Sequence, residues 1–142
     1  MNFFRRIKTL FGGKVLPEHL RRGVLGEKVA KRYLQKMGLK FLCANYRSAR
    51  GEIDLVFRET NCLVFVEVKT RSSEEWTRPA AAVNAHKRKL LSQCALDYLQ
   101  LLKNPEVKMR FDIVEVLLQD GVVHEIRHLP NTFSLSQPYR YG

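Results

Sequence analysis

No stretch of this chain approaches the roughly 18 consecutive apolar residues that a membrane-spanning helix needs, so membrane insertion is not expected of it. The N-terminus also lacks the apolar block, roughly 7–15 residues long, of a secretory signal. Cysteine is scarce: Cys43, Cys62 and Cys94 are an odd number and form no C-x-x-C pair. They fit reduced, partly buried residues of a cytoplasmic protein. His124 and His128 are four apart, which would suit metal ligation on a helix, but the surrounding Val122, Val123, Glu125 and Ile126 read as a strand. Internal repeats and low-complexity tracts are absent. Acidic side chains are in short supply, 14 against 25 Lys and Arg, so the net charge is +11. Such an excess favours an anionic partner, nucleic acid or an anionic membrane surface, over a merely solvated basic surface.

What is present is enough for one globular domain: 142 residues, 45% of them hydrophobic. Residues 1–22 read as a basic extension. Within it Phe3, Phe4, Ile7, Leu10 and Phe11 recur at helical spacing among Arg5, Arg6 and Lys8, a short amphipathic helix suited to a membrane surface or nucleic acid, or equally a docked tail. Residues 24–37 predict a first helix with Leu25, Val29, Tyr33, Leu34 and Met37 on its apolar stripe and Gly38 as its cap. Strands are expected at 39–46, 51–57 and 63–69. A second helix is expected from Pro79 to about residue 102, with Val83, Leu90, Leu91, Cys94, Tyr98 and Leu101 inward. Asp120-Gly121 marks a hairpin between strands at 108–118 and 122–128. The order α-β-β-β-α-β-β predicts an α/β fold with a mixed sheet. Its third strand, apolar on both faces at its start, should be central.

Two of these strands carry charges where buried strands should have none. With a two-residue Thr60-Asn61 loop, Glu59 pairs with Cys62, Asp54 then faces Glu67, and Glu52 faces Lys69. Alternation puts Glu52 and Asp54 on one face and Ile53, Leu55 and Phe57 on the other. Like charges opposed at roughly 5 Å are destabilising unless a proton, a cation or an ammonium neutralises them. Lys69 and a divalent metal are the candidates.

An acidic residue in one strand, Glu-x-Lys in the next and a helix on either side resemble the PD-(D/E)XK nuclease superfamily. More closely, the chain is similar to the YraN family of small bacterial proteins, which looks related to archaeal Holliday-junction resolvases. The resemblance rests on Gly26, Glu27 and Ala30, on Asn45-Tyr46-Arg47, and on Gly51-Glu52-Ile53-Asp54-Leu55. It continues through residues 64–71, through Ala82, Val83 and Lys87, and through Arg110-Phe111-Asp112-Ile113-Val114 and Asn131-Thr132-Phe133. It covers about residues 20–133. Ile53 replaces the superfamily's usual proline, Asn61 stands where a turn glycine is usual, and Lys28 replaces an often acidic residue.

The resemblance implies a restriction-endonuclease-like αβββαβ core over residues 23–133, followed by a tail, 134–142. It implies a Mg²⁺- or Mn²⁺-dependent endonuclease acting on DNA, on branched or single-stranded forms. Asp54 and Glu67 would be metal ligands, Glu27 a third acidic group and Lys69 the cation that positions water or steadies the phosphate. Arg47, Arg71, Lys87 and Arg88 are the candidates for phosphate contacts. A homodimer follows only by analogy with junction resolvases. Glu52 and Asp112 carry two readings each: Glu52 as a further site acid or as a partner that holds Lys69, Asp112 as a further site acid or a structural acceptor. A non-catalytic nucleic-acid-binding module on the same fold is the competing function.

Overall fold

A computed structural model describes residues 17–72 and 84–133 of the chain. The elements are α1 (Glu18–Lys36), β1 (Lys40–Ser48), β2 (Gly51–Glu59), β3 (Cys62–Arg71), α2 (Ala85–Leu101), β4 (Lys108–Gln119) and β5 (Val122–Phe133). One five-stranded sheet runs in the order β1-β2-β3-β4-β5, with β3 central as expected. β3 and β4 are parallel and every other neighbouring pair is antiparallel. This is the mixed sheet with two helices anticipated from the order of elements, an α+β fold consistent with a restriction-endonuclease-like core. Among the described residues no helix is long and apolar enough to cross a membrane. The basic helix expected at residues 3–11, Pro79, Ala82, Val83 and the tail 134–142 lie outside the described residues.

The sheet has an apolar core on each face because its central strands are apolar on both. Val64 and Val66 of β3 join Ala30 and Leu34 of α1, while Leu63 and Phe65 join Leu91, Cys94, Ala95 and Leu99 of α2. Burying each valine, leucine or phenylalanine of these cores contributes about 1.5–3 kcal/mol, which fixes the pairing register wherever both faces are covered.

Several local expectations shift. α1 begins at Glu18, six residues before the expected start, so Arg21 and Arg22 of the basic segment are helical. Asn84, not Pro79, is the residue that caps the described start of α2, its side chain accepting from the Lys87 N–H at 2.9 Å. Met37 and Leu101, expected inward, are 54% and 70% exposed, Met37 as the residue just past its helix and Leu101 as the last of its own. Gly38 caps α1 at φ +98, as expected. In the β2–β3 turn the left-handed residue is Thr60 (φ 52) rather than Asn61, whereas Asp120 and Gly121 both take positive φ in the β4–β5 turn.

Candidate metal centre

The β2–β3 ladder follows the expected register from Glu59–Cys62 to Leu55–Val66 and then stops, one pair short of Asp54 and Glu67. Beyond that point the Val68 N–H donates to Asp54 Oδ2 at 2.8 Å, so a side chain takes the place of a strand carbonyl. The two strands part where the charges begin.

Alternation also breaks here, against the expectation. Ile53 and Val56 both pack in the α2-side core, while Leu55 and Phe57 pack in the α1-side core, so Ile53 does not share their face. On β1, Cys43 and Tyr46 are likewise three apart and both on the α2 side. Between them Asn45 adopts φ 53. Both strands slip phase together, so pairing persists as Ala44–Leu55 and Tyr46–Ile53. Asparagine tolerates this conformation at low cost. The slip turns Asp54 into a cleft of about 350 Å³ on the α1 side, shared with His19, Arg22, Glu27 and Thr70.

Glu27 arrives from α1. Helix-dipole stabilisation does not account for it, because α1 starts nine residues earlier and Glu27 sits mid-helix. The helix can approach because Gly26 packs on β3: a Cβ there would lie 2.1 Å from Thr70 Oγ1. Burial raises the Glu27 carboxyl to about 7, with the Asp54 and Glu52 charges adding to it and a hydrogen bond from Asn45 opposing. Burial likewise raises Asp54 to about 6; the Glu67 and Glu52 charges push the same way, and the Val68 N–H and Lys87 pull it back.

Glu67 leans to the other side of the sheet, where it forms an ion pair with Lys87 in the first turn of α2. The direct Asp54–Glu67 opposition expected from register arithmetic is therefore relaxed into repulsion across the gap between β2 and β3. Glu67 Oε2 and Asn45 Oδ1 are buried without a hydrogen-bond partner. Unsatisfied buried acceptors are costly. Hard oxygens that lack donors suit a hard cation such as Mg²⁺. Among the described residues no three His, Cys, Asp or Glu side chains converge closely enough to hold an ion by themselves. Waters or phosphate oxygens would complete the set, as Mg²⁺ commonly requires.

The remaining candidates divide sharply. Glu52 pairs with Arg47 at 3.2 Å, so it does not hold Lys69, and Arg47 is not free. Lys69 lies beside Glu115 in the parallel register, half-buried and without an ion pair among the described residues. Arg71 lies 3.6 Å from Glu115, a fully buried carboxylate that also has Arg127 at 3.7 Å. Lys87 is committed to Glu67. Arg88, one residue on in α2, makes no ion pair among the described residues.

Asp112 belongs elsewhere. Its carboxylate, 1% exposed, accepts from Arg110, from the Asn131 N–H at 2.9 Å and lies 2.8 Å from His128 Nε2. Burial pushes this carboxyl up, but those hydrogen bonds outweigh it and hold the group below the usual carboxylate range. It is the structural acceptor of the two readings. His19 and Arg22 were missed, because they fell in the segment read as an extension; the Gly26-Glu27 pair was the one signal that the helix around them mattered.

The model of the uncharacterised protein family UPF0102 matches residues 26–116 of the chain. A UPF0102 protein of Trichlorobacter lovleyi is 43% identical over 115 residues, which is 80% of this chain and 91% of that protein. One of Caldanaerobacter subterraneus is 39% identical over 113 residues, 78% of this chain and 93% of that protein. One of Rhodococcus opacus is 35% identical over 118 residues, 83% of this chain and all of that protein.

Proposed function

The chain belongs to the uncharacterised protein family UPF0102, the YraN family, and from that premise we propose that it is a divalent-metal-dependent endonuclease acting on DNA. One observation carries the reading: Glu27 and Asp54 share a cleft at the splayed ends of β2 and β3, and Glu67, whose charge reaches Asp54 across the gap, has its Oε2 buried without a donor among the described residues. Unneutralised acids in one place are costly to a fold and are more often kept for chemistry than for packing.

Asp54 and Glu67 would hold Mg²⁺ or Mn²⁺, with Asn45 Oδ1 close by. Such an ion, when bound, polarises a phosphate oxygen and lowers the pKa of water. The chain's own groups supply the rest. Glu27, with its pKa near 7, can take a proton from an attacking water at neutral pH. Lys69, on the strand that bears Glu67, makes no ion pair among the described residues, and its ammonium is suited to steady the extra negative charge on the phosphate as the water attacks. The net charge of +11 draws the polyanion in.

A second reading has its own support. The Lys87–Glu67 ion pair neutralises part of the cluster internally, as a nucleic-acid-binding module without catalysis would require. Purified protein incubated with Mg²⁺ or Mn²⁺ and linear, single-stranded, flapped and four-way-junction DNA separates the two. The nuclease reading expects cleavage of at least one substrate and none by Asp54→Asn. Cleavage absent from all, or undiminished in Asp54→Asn, would falsify it.

A further inference from the structure

The cations chosen for phosphate contact from the sequence are mostly spent on carboxylates: Arg47 on Glu52, Arg71 against Glu115 and Lys87 on Glu67. The cleft that holds Glu27 and Asp54 instead receives Arg22 and His19 from α1. Neither side chain forms an ion pair or hydrogen bond with a described residue; only the Arg22 carbonyl is engaged, accepting from Thr70 Oγ1 at 3.5 Å.

Arg22 also lines a second, larger cleft of about 670 Å³. That cleft has a different chemistry. Leu25 and Leu118 are the apolar part of an otherwise polar lining, Gln119 offers both a donor and an acceptor, and Arg21 and Arg22 are accompanied by Glu18 and Asp120. Two leucines beside hydrogen-bonding side chains suit a flat, neutral heterocycle. The two clefts meet at Arg22, so a phosphate on its guanidinium would have the carboxylate site on one side and the larger cleft on the other.

We propose that Arg22 anchors a substrate phosphate beside Glu27 and Asp54, and that the larger cleft takes one unpaired base of the same strand, which makes the substrate single-stranded nucleic acid or an unpaired segment of a duplex. This rests on the nuclease reading and narrows it. A stacked, paired base must first be extruded, at a cost of a few kcal/mol, whereas an unpaired base enters without that cost. The guanidinium fork is the side chain best matched to phosphate geometry.

The test is fluorescence anisotropy with the full chain in Ca²⁺, using a labelled single strand, the matching duplex, and a strand whose central residues are abasic. The single strand should bind about 10-fold or more tighter than either of the others. Arg22→Gln should weaken single-strand binding about 10-fold and lower the salt slope by about one unit. Arg32→Gln, with the same charge loss on the same helix but outside both clefts, should change affinity by less than half as much on a logarithmic scale. Gln119→Trp should narrow the large cleft and erase the preference over duplex; the abasic strand reads the same contact without altering the protein. If Arg22→Gln matches Arg32→Gln, or if duplex and abasic strands bind as well as the intact single strand, the inference fails and the nuclease reading stands. If the unaltered chain binds no nucleic acid at any salt, both fall.

Discussion

Two acidic clusters flank β3, and they are opposites. Asp112 on β4 is buried, receives hydrogen bonds from Arg110, His128 and Asn131, and is held below the usual carboxylate range. Arg110 extends the network to Glu59 at 3.3 Å, tying β4 to the β2–β3 hairpin. Asp54 on β2 is only partly buried as a residue, yet burial of its carboxyl, which receives one backbone N–H, together with the charges of Glu67 and Glu52 raises it to about 6. The difference teaches that burial alone says nothing of role. A carboxylate supplied with donors by its neighbours fastens strands together and stays ionised, and one given few donors is held toward its protonated form.

The largest effect should come from breaking the satisfied cluster. Asp112→Ala leaves His128 and the Asn131 N–H without this acceptor and Arg110 with Glu59 alone, and should cost about 3–5 kcal/mol in denaturant unfolding. Mn²⁺ affinity, measured under conditions where the variant is folded, should be unaltered. Equal loss of metal binding would merge the two clusters into one.

Gly26→Ala should come next. The added methyl collides with Thr70 Oγ1, so α1 must move off β3, at about 1–3 kcal/mol. Because Glu27 follows directly, calorimetric Mn²⁺ affinity should fall as well. Thr70→Gly in the same chain should make room and recover affinity; no recovery would separate this contact from the site.

The charged cluster should respond in the opposite sense to Asp112. Asp54 and Glu27 have folded pKa values of about 6 and about 7, above their ordinary 3.8 and 4.5. Raised carboxyls favour the protonated fold, so their penalty is absent below about pH 4 and complete above about pH 7. Metal-free protein should therefore lose stability from these groups as pH rises across that window. Asp54→Asn should recover about 1–2 kcal/mol at pH 8, after allowing for solvent screening, while abolishing Mn²⁺ binding. Asp112 runs the other way: its lowered pKa contributes stability above the ordinary carboxylate pKa of about 3.9, lost as pH falls through the folded value. Melting temperature against pH, with and without Mn²⁺, reads both; a flat profile for Asp54→Asn and the parent alike would remove the contrast.

The smallest effect is expected at Glu67→Gln. With Lys87 deprived of its partner, stability should change by less than about 1 kcal/mol, since that lysine is half-exposed. The rise in melting temperature on adding Mn²⁺ should nonetheless disappear, and a rise equal to the parent's would strike Glu67 from the ligand set.

By itself the sequence determined most of the architecture. Apolar runs in β3 and β4 require a sheet covered on both faces, the Asp120-Gly121 turn requires a hairpin, and the Thr60-Asn61 loop sets a register that holds from Glu59 as far as Leu55. These are local preferences that agree with the global fold. Asp54 and Glu67 were legible too, since charge in an apolar strand is conspicuous wherever the chain goes, whereas Glu27, on a helix, came from the family resemblance. What only the tertiary structure decided is where each charge points and what meets it. The paired slip at Asn45 and Asp54 cannot be seen in a period-two pattern, because it occurs in two strands at once and leaves their pairing intact. Glu52 found Arg47 rather than Lys69, Lys87 found Glu67, and Asp112 found His128 from sixteen residues away. Ion pairs and hydrogen bonds of this kind depend on distances across the sheet that no sequence spacing encodes, and they alone separate the carboxylate that fastens this fold from the ones it leaves open.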